Sequence, residues 1–266
     1  MTGPETAPDA LDGLLERAAE LIARARRLVV FTGAGVSTES GIPDFRSPSG
    51  IWARYDPLEL SYQNFIASEE GRRKYWQLGR ELYATVRGAR PNPAHLAIAE
   101  LERLGFLQCV ITQNIDNLHQ KAGTSPERVI ELHGNATRAR CLACGEPYTR
   151  DEIQARLEAG EEVPACRCGG IIKPHTILFG EAMPLLETLE AERRARAADC
   201  FLVVGSSLVV YPAAYMPLYA KEAGARLIIV NLTSTPLDEH ADVRIPGKAG
   251  EVMAGLLARV RARLVR

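Results

Sequence analysis

The sequence predicts an α/β fold: a doubly wound, parallel, Rossmann-like sheet with an inserted helical module and a small cysteine-bearing module. Three observations predict it. Short apolar runs at Leu28–Phe31, Cys109–Ile111, Phe201–Val204 and Leu227–Val230 are each followed by a polar or glycine-containing turn and then a helical pattern. The stretch from Gly41 to Gly88 carries prolines, aromatics and a helical segment near Glu69–Val86, with no second strand. Four of the six cysteines cluster between positions 141 and 168. Continuous apolar runs mark strands buried on both faces, and their alternation with helices marks a parallel sheet covered on both sides.

Along the chain, Thr2 to Ala10 read as a frayed start. Leu11, Leu14, Leu15, Ala18, Leu21 and Ile22 then recur at helical spacing over residues 11–26. The organisation that follows is a large Rossmann-like unit of residues 11–36, 92–134 and 171–266, a helical insertion over 37–91 and a cysteine module over 135–170. The end, Gly250 to Arg266, is helical through Val252, Leu256, Leu257, Val260 and Leu264.

Length and composition exclude several classes. A chain of 266 residues, with 46% hydrophobic and 24% charged residues, can bury a core without disulfides and is unlike a disordered, collagen-like or coiled-coil protein. With 32 Lys+Arg against 33 Asp+Glu, the net charge of -1 argues against a generic phosphate-backbone binder. No apolar run approaches the roughly 18 residues of a membrane span. The opening MTGPETAPDA has no apolar core of a secretory signal, so a cytoplasmic location is expected.

Three motifs stand at turns after strand-like runs, and a fourth lies directly downstream of the first. Thr32-Gly33-Ala34-Gly35-Val36-Ser37 ends the first run; its glycines let backbone N–H groups approach a pyrophosphate. The third glycine of the dinucleotide fingerprint is absent, since Thr38 stands there, and no strand with a terminal acid follows about 20 residues on. Gly41-Ile42-Pro43-Asp44-Phe45-Arg46-Ser47 offers a guanidinium for phosphate and a flat apolar ring. Thr112-Gln113-Asn114-Ile115-Asp116-Asn117-Leu118-His119 puts amides and a carboxylate where ligands bind in wound sheets; helix capping explains one of these residues but not the run. Glu131-Leu132-His133-Gly134 supplies a histidine suited to general-base work at neutral pH.

Cys141-x-x-Cys144 and Cys166-x-Cys168 carry glycines after Cys144 and Cys168. Four thiolates in two knuckles suit tetrahedral Zn²⁺, in the closed structural site of a four-cysteine zinc ribbon rather than a catalytic one. Cys109 and Cys200 lie in apolar runs and read as buried core residues.

Taken in order, these motifs resemble the sirtuin family, the NAD-dependent protein deacylases, in its bacterial type. The resemblance rests on GAGVSTESGIPDFRS (33–47), TQNIDNLHQKAG (112–123), ELHGN (131–135), the cysteine quartet, FGE (179–181), GSSLVVYPAA (205–214) and IVN (229–231), and runs from about residue 20 to 260. It implies NAD as a consumed co-substrate, one structural zinc, and an acetylated protein or peptide as partner. The charge balance and the lack of a long apolar run speak against nucleic acid and membrane as partners, and a monomer is the default expectation.

Residue by residue, it implies that Gly33, Ala34, Ser206 and Ser207 line the phosphates and ribose, together with Gly35, Thr38, Asp44 and Gly205. Arg46 and Gln113 hold the phosphate and nicotinamide ribose, Phe45 covers the nicotinamide, Ile115 and Asp116 hold its carboxamide, and Asn231 reaches the adenosine ribose. His133 is the general base, with Asn114 and Asp116 in the catalytic set. Ile177, Phe179, Gly180 and Glu181 face Val209 and Val210 across the substrate backbone, which enters as an added strand. The products are nicotinamide, O-acetyl-ADP-ribose and free lysine.

Two departures bear on the acyl group. Leu178 stands where many members have the first of two phenylalanines. The Tyr-x-x-Arg with which the family's desuccinylases grip an acidic acyl chain is absent from Tyr75–Tyr83, and Arg80 has no tyrosine at that spacing. A neutral acyl group, acetyl first, is expected. Three rivals are weaker. An NAD or ADP-ribose sensor would lack His133, Asn114 or Asp116. A nucleic-acid-binding ribbon would not offset Arg138, Arg140, Arg150, Arg156 and Arg167 with Asp151, Glu152, Glu158, Glu161 and Glu162. A hydride-transferring dehydrogenase would need a proton relay that the sequence does not supply.

Overall fold

The computed structural model of the chain describes residues 8–264. Helix α1 (Pro8–Arg24) leads into strand β1 (Leu28–Thr32). Helices α2 (Tyr62–Ala67), α3 (Glu69–Gly88) and α4 (Pro93–Arg103) follow, then β2 (Leu107–Thr112), the one-turn α5 (Leu118–Lys121) and β3 (Val129–Glu131). Next come β4 (Gly134–Cys141), β5 (Pro147–Thr149), α6 (Arg150–Glu158) and β6 (Ile172–Thr176). The chain closes with α7 (Leu185–Ala197), β7 (Cys200–Val204), α8 (Met216–Glu222), β8 (Arg226–Asn231), β9 (Val243–Pro246) and α9 (Ala249–Leu264).

The large sheet runs β3-β2-β1-β7-β8-β9 and every pair in it is parallel. The apolar runs become strands because both faces are covered. Leu28, Val30, Val110, Leu202, Val204, Ile228 and Val230 pack under α1, α4 and α9. Val29, Phe31, Cys109, Ile111, Phe201, Val203, Leu227 and Ile229 pack under α7 and α8. Alternate side chains thus enter opposite cores, so an uninterrupted apolar run is what each strand needs. Strand order reverses between β1 and β7, and wound sheets bind ligands at the carboxyl ends of strands at such a point.

The smaller sheet, β5-β4-β6, is antiparallel. The expected end of the cysteine module at residue 170 falls short, because β6 pairs with β4, with Cys141 opposite Ile172 and Gly134 opposite Thr176. An apolar-polar reading could not assign Ile172–Thr176 to either sheet, since hydrogen-bonding partners are not written in local pattern. The two inserted modules also share one core. Trp76 of α3 is buried with Ala139, Cys141, Ile153, Leu157, Cys166 and Ile172. Arg150 lies 5.3 Å from the Trp76 ring and 4.5 Å from that of Tyr83, cation–π contacts that join α3 to α6.

At the start, residues 1–7 lie outside the described ones, and the frayed reading of residues 2–10 is corrected for Pro8–Ala10, which are helical. Proline at the head of a helix loses no intrahelical bond. At the end, residues 265 and 266 lie outside the described ones. No helix among the described residues is long and apolar enough to cross a membrane. Cys109 and Cys200 are buried free thiols in opposite cores. Burial pushes both up to about 12, so they are inert at neutral pH.

Candidate active site

The turns after β1, β2 and β7 meet above the sheet. Gly35 N–H donates to Gly205 O at 2.8 Å, and Gly33 N–H to Val204 O at 3.3 Å. A Cβ on Gly33 would lie 2.9 Å from Gly205 O, and one on Gly35 2.8 Å from the same atom. Gly205 has φ +64°, and a Cβ there would lie 2.2 Å from Val36 N. Only glycine fits the three positions, so the two backbone turns pack directly against each other with no side chain between them. Across this cradle Gln113 Nε2 donates to Ser206 Oγ at 2.9 Å, which ties the β2 and β7 turns over β1. Asn231 ends β8 on the same rim, its amide donating to Thr233 O at 3.0 Å.

Beneath the cradle lies a buried polar network. Ser37 Oγ donates to Asp116 Oδ2 at 2.7 Å, and Leu118 N–H donates to Asp116 Oδ1 at 2.9 Å. Asn114 Nδ2 donates to Gly33 O and to Ser37 Oγ, both at 3.1 Å. Thr32 Oγ1 donates to Thr112 Oγ1 at 2.8 Å and lies 2.9 Å from His119 Nε2. His95 sits beside this, its ring 5.1 Å from that of His119. Burial holds His95 down at about 4 and His119 at about 3, so both rings are neutral. Sequence reading placed His119 in a motif but gave it no role, and it missed His95, which lies on the apolar face of α4. Their signal is burial, which exists only after the sheet forms.

His133 follows β3. Its Nδ1 lies 3.0 Å from the backbone carbonyl of Gln113. A carbonyl can only accept, so Nδ1 carries the proton and Nε2 is left with its lone pair. Desolvation pulls the pKa of His133 below its ordinary value, and the bond to Gln113 opposes that pull. The imidazole is therefore an unprotonated base at neutral pH.

The loop after the first turn is built by its own backbone. Asp44 Oδ1 accepts from Ser47 N–H at 2.9 Å, and Thr38 Oγ1 donates to Gly35 O at 3.1 Å. Both side chains are thus engaged in shaping turns. Arg46 is exposed and makes no ion pair among the described residues, so its guanidinium is open to an anion. Phe45 packs on Trp52 at 5.3 Å with the rings tilted by 36°, and Trp52 meets Phe179 edge-on at 5.4 Å. Trp52 thus links the Phe45 loop to the FGE segment. Sequence reading noted the aromatics of this stretch without singling it out, because nothing local says which ring it will touch.

Leu208 holds a left-handed φ of 55° with its side chain buried. Its anchoring turns Val209 outward, which is 44% exposed. Strain of this kind persists only where packing over-determines it. In the segment after β6, Ile177 N–H donates to His133 O at 2.9 Å, and Phe179 and Gly180 are exposed. The Glu181 carboxylate is turned inward. It accepts from Leu178 N–H at 2.9 Å and pairs with Lys173 Nζ at 2.9 Å.

Cys141, Cys144, Cys166 and Cys168 converge, all four sulfurs lying within 4.8 Å of one another. Cys141 Sγ and Cys168 Sγ are 3.6 Å apart, as are Cys144 Sγ and Cys166 Sγ. Thiolates tetrahedral about Zn²⁺ are spaced by about 3.8 Å, given a Zn–S bond near 2.3 Å. The residues therefore fit the ion, and the tight Cys166-x-Cys168 knuckle closes. A Cβ on Gly170 would lie 2.6 Å from Cys141 Sγ, so glycine is needed there.

Comparison with known proteins agrees with this geometry. The Sir2 family model matches residues 33–212. The NAD-dependent protein deacylase 2 of Archaeoglobus fulgidus is 48% identical over 249 residues, 93% of this chain and 96% of the relative. The NAD-dependent protein deacetylase of Caldivirga maquilingensis is 48% identical over 246 residues, 92% of this chain and 93% of the relative. Among solved structures, a Sir2 protein with a deacetylated p53 peptide and 3′-O-acetyl ADP-ribose superposes with a TM-score of 0.85 at 38% identity, covering 94% of this chain and 98% of that one. Another, bound to a myristoylated histone peptide, gives 0.78 at 42% identity, covering 96% and 100%. The chain belongs to the Sir2 family.

Proposed function

We propose that the protein is an NAD-dependent protein lysine deacetylase that releases nicotinamide, O-acetyl-ADP-ribose and free lysine. The observation that carries this is the 3.0 Å contact of His133 Nδ1 with Gln113 O, which leaves Nε2 as the free nitrogen, in a chain whose glycine turns make a cradle for a dinucleotide. NAD, when bound, supplies the electrophilic ribose carbon and the hydroxyl that accepts the acyl group.

The protein's own residues do the rest. Gly33, Ala34, Gly35, Gly205, Ser206 and Ser207 present backbone and hydroxyl groups to the phosphates, with Thr38 and Asp44 shaping the loop and Arg46 offering positive charge. Gln113 and Asn231 face the riboses, and Phe45 covers the nicotinamide. Ile115 and Asp116 hold the carboxamide, and the Ser37 and Leu118 bonds fix the carboxylate of Asp116 for that task. Asn114 is oriented by Gly33 O and Ser37. His133 Nε2 takes the proton from a ribose hydroxyl.

An acetylated peptide enters as a strand between Ile177–Glu181 and Val209–Val210. Without a Tyr-x-x-Arg over Tyr75–Tyr83, and with Leu178 before Phe179, the chain favours a neutral acyl group. Zinc is held by Cys141, Cys144, Cys166 and Cys168; with four protein ligands it has no open position for chemistry. The chain works as a monomer in the cytoplasm, where free thiols stay reduced.

Mass spectrometry of an acetyl-lysine peptide incubated with and without NAD, beside His133→Ala, tests the reading. Loss of acetyl only with NAD and intact His133, with one nicotinamide and one O-acetyl-ADP-ribose per lysine, is expected. An unchanged peptide with NAD bound but not consumed would sink it.

A further inference from the structure

One segment belongs to both the metal-holding sheet and the substrate-facing loop. Strand β6 pairs with β4 beside Cys141, and five residues beyond its last one the chain reaches Glu181. Ile177 N–H donates to His133 O, so the same segment also borders the general base.

Near the start of β6 stands Lys173, only 5% exposed. Its Nζ lies 2.6 Å from Thr176 O, 3.2 Å from Pro174 O and 2.9 Å from Glu181 Oε2. Glu181 Oε2 also accepts from Leu178 N–H, and Glu181 N–H donates to Leu178 O at 3.0 Å. The ammonium's donors are thus spent on two carbonyls of its own strand and one carboxylate of the next turn. Outside this turn, Tyr62 N–H donates to Phe179 O at 2.9 Å, and Gln63 Nε2 to Gly180 O at 3.1 Å.

A buried ammonium is costly unless paired and fully hydrogen-bonded, and an apolar pair of like size would hold the fold as well. What the ion pair adds is direction: it folds the chain back at residues 178–181 so that Phe179 and Gly180 project outward. We propose that Lys173 is a positioning residue for the acyl-peptide: through Glu181 it closes the turn that presents the edge to which the substrate strand adds. The turn gains its shape from the cysteine-held sheet, since Lys173 is carried by β6 and β6 is carried by β4. The proposal rests on the peptide-deacylase reading. Wild-type turnover tests that reading, and the ratio of variant to wild type tests this one.

The experiment is steady-state kinetics with acetyl-lysine peptide and NAD varied separately, on wild type, Lys173→Met, Lys173→Arg and Glu181→Gln. Lys173→Met and Glu181→Gln should each raise the peptide KM at least tenfold, with the NAD KM within twofold and kcat at saturating peptide within threefold. Lys173→Arg, which keeps a buried cation, should recover most of the loss. An unchanged peptide KM in Lys173→Met overturns the proposal. So does a parallel loss in peptide KM, NAD KM and kcat, the mark of a residue that only holds the fold. If Lys173→Met does not fold, Glu181→Gln decides on the same criteria. If the wild type does not turn over, anisotropy of a fluorescein-labelled acetyl-lysine peptide on the same variants gives the ratio.

Discussion

His133 Nδ1 is held 3.0 Å from the carbonyl oxygen of Gln113, so one backbone atom after β2 decides which nitrogen of a side chain after β3 can act as base. Desolvation lowers the pKa of that imidazole. A lowered pKa keeps the base unprotonated to lower pH. The acid limb of kcat/KM is therefore expected below pH 6.5, with activity flat from pH 6.5 to 8. His133→Ala should cost at least about 100-fold in kcat/KM, the usual worth of a general base, while ADP-ribose affinity changes little. A pH series on the wild type and one isotherm on the variant check both.

Asp116 spends both carboxylate oxygens on fixed donors, Ser37 Oγ and Leu118 N–H. Asp116→Asn puts an amide NH₂ against one of them. A buried donor left without an acceptor costs about 1–3 kcal/mol, so the NAD KM should rise about tenfold or more and the thermal midpoint should fall. A variant with wild-type NAD KM would separate this network from cofactor binding.

At Gly205 a methyl group has no room, with Val36 N 2.2 Å from the ideal Cβ and φ at +64°. Gly205→Ala must open the two turns. Left-handed backbone alone costs about 1–2 kcal/mol for an L-residue, and the clash adds to that. The expected result is a soluble but less stable protein whose ADP-ribose affinity falls at least tenfold by calorimetry. Gly224→Ala, also at positive φ (+93°) but with open space around it, should lose stability without losing affinity.

Metal content and Trp76 fluorescence report together on the small sheet. Trp76 is fully buried against Cys141, Cys166 and Ile172. In a Trp52→Phe background, which leaves Trp76 as the sole indole, chelation or Cys166→Ser should remove one zinc per chain and shift the emission to the red, because metal binding and folding are coupled in such modules. Zinc loss with an unmoved spectrum would uncouple them.

The buried pair His95 and His119 ties stability to pH. Their pKa values in the fold are held at about 4 and about 3, below the ordinary 6.5 of the unfolded chain. Between those values the unfolded state binds protons that the folded state refuses, so stability falls with falling pH. It is fully present above pH 6.5 and lost progressively toward pH 3. Urea midpoints at pH 7.5 and 5 should differ clearly in the wild type and less in His119→Asn.

Much of the fold was legible. The four apolar runs became β1, β2, β7 and β8, and the helix expected near Glu69–Val86 spans Glu69–Gly88. They were legible because a strand buried on both faces must be apolar throughout. Strand β9 was not singled out, since Val243–Pro246 is short and includes Arg244 and a proline. An edge strand tolerates both, as one side lacks a neighbour. The cysteine quartet was readable by residue type alone, because only a soft metal asks for four thiolates. Trp52, His95 and Lys173 were not readable: a ring, an imidazole and an ammonium gain their meaning from what burial brings beside them.

Sequence alone determined the strand-and-turn grammar, the glycines at Gly33, Gly35 and Gly205, the quartet of thiols and the histidine proposed as base. Those are local demands, of period, of missing Cβ atoms and of ligand chemistry, and local order carries them. Tertiary structure decided which nitrogen of His133 is free, that His95 and His119 are neutral, and that Glu181 turns inward to Lys173 rather than outward. Each of these depends on desolvation and on partners distant in the chain or turned back by a fold, and neither is encoded at any single position.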